Sequence, residues 1–493
     1  MEQSVLNLPK SEMFTDYFFK DNTFDEVFKL NSPASNYYNR LLSLITTYST
    51  EEFKILNEYA KKSFANRGVT FATYSDNPRG NERIFPFDLL PRIIPQTEWD
   101  VLEKGLKQRN RAINFFIHDL YHDSKILKDK VVPIDLVLSC SNLNRYMKDF
   151  TPPGEVYNHI SGTDIIKHND GNYYVLEDNV RCPSGVSYVL ANREAMKKTI
   201  SSVFYNFNIF PVSDYPEALL EMMHSVKSDK VDNPNCVLLT PGAYNSAYYE
   251  HSFLAQSMGI ELVEGRDLFT DNDFVYTRTV YGPKRVDVIY RRIDDDFLDP
   301  LVFRPDSALG VPGLMSAYRK GNVNLINAPG TGIADDKAVY AYVPDIVKYY
   351  LGEEPILKNV PTYRCDVKEE MSYVLDKMAE LVVKPVDQSG GYGIFIGNQA
   401  TKAEIEDQKK LIQSNPRGYI AQPTMSLSVH STFIDGENKF EPRHIDLRTF
   451  TLLGADKEYV LKGGLSRVAL KKGSLIVNSS QGGGSKDTWV IEE

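Results

Sequence analysis

One stretch of the chain, Tyr173-Tyr174-Val175-Leu176-Glu177-Asp178-Asn179, begins apolar and ends in acids and an amide, side chains suited to holding a hard cation. Strand alternation puts Tyr173, Val175, Glu177 and Asn179 on one side and Asp178 on the other. Just upstream runs Gly162-Thr163-Asp164-Ile165-Ile166-Lys167-His168, and Asp170-Gly171 between the two runs is a strong hairpin signal. With those two residues as the turn, Asn169 faces Asn172 and Asp164 falls directly across from Glu177. Opposed carboxylates repel unless a cation lies between them. Mg²⁺ typically takes one or two carboxylates and leaves its remaining positions to water and phosphate.

Other candidate groups lie downstream. Leu381-Val382-Val383-Lys384-Pro385 reads as a strand, Ser389-Gly390-Gly391-Tyr392-Gly393 as a glycine-rich loop, and Ile394-Phe395-Ile396 as the returning strand. Glycines let backbone N–H groups approach phosphate oxygens closely. Neither familiar glycine-loop enzyme fits. GxxxxGK[ST] is absent, Lys384 precedes rather than follows the loop, and His444-Ile445-Asp446-Leu447-Arg448 is followed by Thr451 where a kinase catalytic loop needs Asn. His118 and His122 share a helix face, but HExxH is absent and no third ligand is evident, which points to an ordinary helix surface.

The elements that must position these groups divide the chain. Residues 1–153 read as mainly helical, with helices from Glu51 to Asn66 and from Thr97 through Leu120, and with Arg83 to Arg92 as an extended connector. The hairpin segment occupies 154–205, with a helix around Arg193 to Ser202. Alternating strands and helices over 206–335 read as a Rossmann-like α/β unit. A section with antiparallel strands over 336–493 carries the glycine loop. Arg291-Arg292 ends a strand of the α/β unit, where substrates of such sheets bind. These arginines either meet a substrate carboxylate or pair with Asp294-Asp295-Asp296.

At 493 residues, 42% hydrophobic and 25% charged, the composition is that of soluble globular protein. The net charge of −10 argues against general nucleic-acid binding. The beginning Met1-Glu2-Gln3-Ser4 has no signal-like pattern and no apolar run reaches membrane-spanning length, so a cytoplasmic, non-membrane protein is expected. Cys140, Cys182, Cys236 and Cys365 are scattered, without zinc or disulfide spacing.

Taken together, these pieces resemble the ATP-grasp superfamily, and more closely its circularly permuted type 2 branch, related to the ligase domain of glutathionylspermidine synthetase. The fold implied is α/β (α+β): a circularly permuted ATP-grasp fold with a Rossmann-like pre-ATP-grasp domain and an N-terminal helical extension. Unpermuted relatives place the metal-binding Asp and E-x-N last; here they come first. The resemblance implies ATP and Mg²⁺ as cofactors, with Asp164, Glu177 and Asn179 on the metal. It implies that Lys337 and Lys384 meet phosphate oxygens, that Ser389, Gly390, Gly391, Tyr392 and Gly393 form the phosphate loop, and that Gln422 lies in the adenine hinge. Asn478 and the glycines at 482–484 match the Asn-Gly-Gly segment. Arg467 and Arg448 would stabilise the transferred phosphoryl group, and Arg181 is a candidate for orienting a substrate carboxylate. Gln422-Pro423 replaces the acidic and aromatic pair common in the hinge, which leaves adenine recognition more to backbone groups.

The activity implied is that of a carboxylate–amine ligase, joining a small-molecule or peptide carboxylate to an amine through an acylphosphate. A phosphotransferase without ligation and a non-catalytic ATP-binding scaffold are the alternatives. Permutation carries a structural demand: the strand around Trp489 must end near the place where the segment at Val156 begins. The sequence leaves the oligomeric state undetermined.

Overall fold

The computed structural model describes residues 9–18, 23–29, 32–73, 81–388, 390–478 and 482–492. Its largest sheet runs in the order Lys358–Asn359, Tyr173–Asn179, Ile160–Lys167, Lys439–Leu453, Leu465–Val468, Gly484–Ile491 and Phe87–Pro95. Val429–Ile434 and Glu458–Val460 also pair with its long central strand. A parallel sheet is ordered Asn324–Ile326, Val288–Arg291, Cys236–Leu239, Glu261–Val263. An antiparallel sheet, Tyr363–Arg364, Tyr419–Pro423, Leu381–Pro385, Phe395–Ile396, carries the glycine loop between Leu381–Pro385 and Phe395–Ile396.

The helices follow their sequence signals. Ser49 and Glu52 form a capping box that starts Thr50–Asn66. Helix Gln96–Tyr121 follows Pro95 and buries Trp99, Leu102, Leu106, Ile113 and Phe116 along one stripe. No helix among the described residues is long and apolar enough to cross a membrane.

The expected connector is instead a strand, Phe87–Pro95, buried throughout and parallel to Gly484–Ile491. Its prolines at positions 91 and 95 are tolerated because it forms the sheet's edge. The N-terminal region therefore builds part of the main sheet.

The demand made by permutation can be followed strand by strand. Ile160–Lys167, Lys439–Leu453, Leu465–Val468 and Gly484–Ile491 are each antiparallel to the next. Four alternating strands place the end of the last beside the start of the first. Three strand spacings separate the two points, roughly 14 Å, a distance that a short loop spans.

Candidate active site

The hairpin meets the expected opposition by an unexpected route. His168 and Asn172 close the turn, with the Asn172 carbonyl accepting the His168 N–H at 2.9 Å, so three residues rather than two form the loop. Gly171 takes the left-handed conformation that such a loop requires, φ 81°. Continued without interruption, the register of this longer loop would have set Asp164 across from Leu176. A bulge restores it: Ile165 pairs with Val175, Asp164 pairs with Glu177, and Leu176 is the extra residue.

The bulge also corrects the expected sharing of faces. Tyr173 and Val175 pack on the side of helix Gln96–Tyr121, together with Leu102 and Leu106. Leu176 and Glu177 both line a cavity on the other side. Regular alternation would have put Glu177 with Val175; two successive residues on one side are the signature of a bulge. Behind Glu177, Asp178 is buried against Arg109 of the long helix, with contacts of 2.6, 2.8 and 2.9 Å, and Arg109 also reaches Asn359 Oδ1 at 2.8 Å. Arg109 was not legible as a site residue, because its partner is supplied by a distant helix.

The cavity, about 110 Å³, lies between the main sheet and the antiparallel sheet. Asp164, Glu177, Lys337, Lys384, Gly390, Gly391, Tyr392, Gln422, Arg467 and Asn478 all line it, as does Asp446. Lys384 reaches it because Leu381 and Val383 turn into a hydrophobic cluster with Val374, Met378 and Ile412, which leaves Val382 and Lys384 for the opposite face. Gln422 sits across from Val382 and donates its amide to Thr362 Oγ1 at 3.0 Å. Asp336 caps the turn opened by Lys337, and the Lys337 ammonium lies 2.5 Å from the Gln388 carbonyl and 3.5 Å from Glu177 Oε2. Gly390, Gly391 and Gly393 all take positive φ, and a Cβ on Gly393 would fall 2.8 Å from Pro385. Gly393 is not on the cavity wall. Ser389 lies outside the described residues.

The cations beside the paired carboxylates belong to the protein. Arg448 is the cross-strand partner of Asp164 and holds both its oxygens, at 2.7 and 2.8 Å. Arg467 reaches Asp164 Oδ2 at 2.7 Å and Asp446, its own cross-strand partner, at 2.8 Å through Nε. Burial would raise the Asp164 carboxyl, but these two guanidiniums hold it well below the usual carboxylate range. Burial dominates at Asp446 and raises it despite Arg467. Burial likewise pushes the Lys384 ammonium down to about 8, with Lys337 adding to the effect and Glu177 and Asp164 opposing it. Part of the Lys384 surface still faces the cavity, so this cation is shielded by surrounding protein without being sealed off.

Asn179, Arg181 and Arg448, like Gly393, stand apart from the cavity wall. Asn179 donates Nδ2 to the Gly162 carbonyl at 3.1 Å, which leaves its amide oxygen as the end a cation would use. Arg181 lies between Asp294 and Asp335, at 3.5 and 3.7 Å, and burial pushes Asp335 up to about 7 against the pull of Arg181. Of the two readings for Arg291 and Arg292, packing decides. Arg291 is buried on Asp295 at 2.7 Å and on backbone carbonyls, while Arg292 pairs with Glu250 at 3.1 Å rather than with the acidic run. His118 and His122 stack, and His122 bonds to the His118 carbonyl and to Thr151.

The oxygens of Glu177 and Asn179, with Asp164 behind its guanidiniums and Asp446 beyond, fit a hard divalent cation whose shell is completed by phosphate and water. Among the described residues no three His, Cys, Asp or Glu form a cage by themselves.

Comparison with known proteins gives four matches of note. The sequence profile of the circularly permuted ATP-grasp type 2 family matches residues 91–469. An uncharacterized Synechocystis protein is 51% identical over 471 residues, 96% of this chain and 97% of that protein. A Frankia casuarinae protein named as a candidate glutamate–cysteine ligase is 42% identical over 86% of this chain, which spans 48% of that protein. In fold, the chain is similar to a glutathione synthetase-like effector from Globodera pallida, with a TM-score of 0.57 at 12% identity over 90% of this chain and 98% of the other.

Proposed function

Because this chain belongs to the circularly permuted ATP-grasp type 2 family, we propose that it is an ATP- and Mg²⁺-dependent ligase joining a carboxylate to an amine, with release of ADP and phosphate. One observation carries this reading: Lys337, Lys384, Arg467, Glu177 and the glycine loop, drawn from segments some 300 residues apart, converge on a single cavity. Transfer of a phosphoryl group to a carboxylate asks a protein for positioning and charge neutralisation rather than covalent chemistry.

Lys337 and Lys384 bind phosphate oxygens, and the loop glycines offer backbone N–H groups. Arg467 holds the charge that develops first on the phosphoryl group and then on the oxyanion of the tetrahedral intermediate. Arg448, behind Asp164, positions that carboxylate. Glu177 and Asn179, with Asp164, would hold Mg²⁺, which when bound neutralises phosphate charge. Arg181 pairs with Asp294, just past the carboxyl end of the parallel strand Val288–Arg291, and substrates of open α/β sheets bind in that region. The Frankia relative's name supports amide-bond formation by this branch.

The test is mass-spectrometric. Protein, ATP and Mg²⁺ are incubated with carboxylate and amine metabolites, following ADP and new masses. A product equal to two metabolites less water is expected, together with ADP. A phosphorylated metabolite without condensation would establish phosphotransfer instead, and absence of turnover with ATP bound would establish a scaffold. Glu177→Gln is expected to abolish ATP consumption and shift the melting midpoint by less than about 1 °C, since Glu177 forms one 3.5 Å ion pair. Undiminished turnover in that variant would sink the metal assignment.

A further inference from the structure

A second cavity, of about 570 Å³, lies on the far face of the same hairpin. The bulge at Leu176 separates the two: Leu176 and Glu177 face the first cavity, whereas Tyr173 and its register partner Lys167 face the second. The floor is a built charge pair. Lys167 is buried, its ammonium 2.8 Å from Glu98 Oε2, and the Tyr173 hydroxyl donates to the same oxygen at 2.8 Å. The rings of Phe24 and Tyr173 flank that ammonium at 5.2 and 5.0 Å. Glu98 is thus neutralised within the wall.

Two more cations remain. Lys29 and Lys358 also line the cavity, and among the described residues neither has an ion-pair partner. Beside them, Val101 and Ile356 are 53% and 43% exposed, large apolar side chains left to water on the same wall. A solvated lysine or an exposed valine is ordinary when alone. Here two cations without an ion-pair partner among the described residues, Lys29 lying over the Phe24 ring at 5.6 Å, and bare apolar surface border one open cleft of ligand size, the make-up of a binding pocket.

We propose that this cavity binds an amphipathic organic anion, a small carboxylate with an apolar body. The head group lies between Lys29 and Lys358, and the body lies against Phe24, Val101 and Leu357. Its occupant is not a reactant at the first cavity, because two paired strands stand between them. It is placed to act as an effector, since Lys167 and Tyr173 belong to the strands that carry Asp164 and Glu177.

The test uses 4-phenylbutyrate and its neutral amide as probes, with binding followed by calorimetry and saturation-transfer NMR. The acid is expected to bind at least about tenfold more tightly than the amide, a difference of one charge interaction. Lys29→Ala with Lys358→Ala is expected to remove that preference, and Val101→Glu to weaken both probes. Lys384→Met, in the other cavity, is expected to leave both affinities unchanged. Equal affinities for acid and amide, binding undiminished in the double variant, or loss of binding in Lys384→Met would overturn the proposal. So would no binding of the acid at about 10 mM, a concentration at which a fragment of this size binds a formed pocket.

Discussion

Replacing Lys384 by methionine separates what this lysine costs the fold from what it supplies to the site. Its ammonium falls from the ordinary 10.5 to about 8 because burial strips water from it and Lys337 repels it, though Glu177 and Asp164 pull the other way. At about 1.4 kcal/mol per pH unit, that fall corresponds to ~3 kcal/mol against the charged form. Solvent in the cavity screens part of this, which leaves ~1–2 kcal/mol. Methionine keeps the length and removes the charge. The ligand-free variant is therefore expected to melt ~1–2 °C above the parent at pH 7.

The sign follows from proton counting. Between pH 8 and 10.5 the folded parent binds fewer protons at this site than the unfolded chain does, so the parent gains stability as pH rises through that window. The variant has no such gain, and its advantage disappears by about pH 10.5. With ATP and Mg²⁺ the order reverses, because the parent gains a phosphate contact that the variant lacks. Calorimetry at pH 7 and pH 10, with and without nucleotide, tests all three statements. A ligand-free variant less stable than the parent at pH 7, with the nucleotide shift intact, would refute the reasoning and make Lys384 a structural counter-ion to Glu177.

Two further substitutions probe the supports of the site. Arg467→Met leaves Asp446 without its guanidinium and Asp164 with Arg448 alone, and is expected to cost ~3–5 kcal/mol. The Asp446 carboxyl then rises further and the depression of Asp164 lessens, so at Asp446 the folded state holds protons that the unfolded state releases. The loss should be larger at pH 8 than at pH 5 in thermal melts, and equal losses would count against the network. Arg109→Met strands the buried Asp178, again at ~3–5 kcal/mol. Adding Asp178→Leu should recover most of that, and a double variant no more stable than the single one would show that Arg109 acts otherwise.

By itself the sequence determined the local elements and the inventory of the site. Apolar spacing along Trp99, Leu102 and Leu106 requires a helix, alternation in Leu381–Pro385 sends Lys384 opposite to Val383, and positive φ in the loop requires glycine at 390, 391 and 393. These are interactions over a few residues, and residue type and period encode them. Tertiary structure alone decided the rest. The connector around Arg92 became a buried strand because Gly484–Ile491 offered it an edge. Arg291 and Arg292 went to the interior because Asp295 and Glu250 were there to receive them. The opposition of Asp164 to Glu177 survived a misread turn only because a bulge restored the register. The cations beside Asp164 proved to be Arg448 and Arg467, nearly 300 residues away in sequence. Which distant charge neutralises a buried carboxylate is set by sheet order, and sheet order is a property of the whole chain.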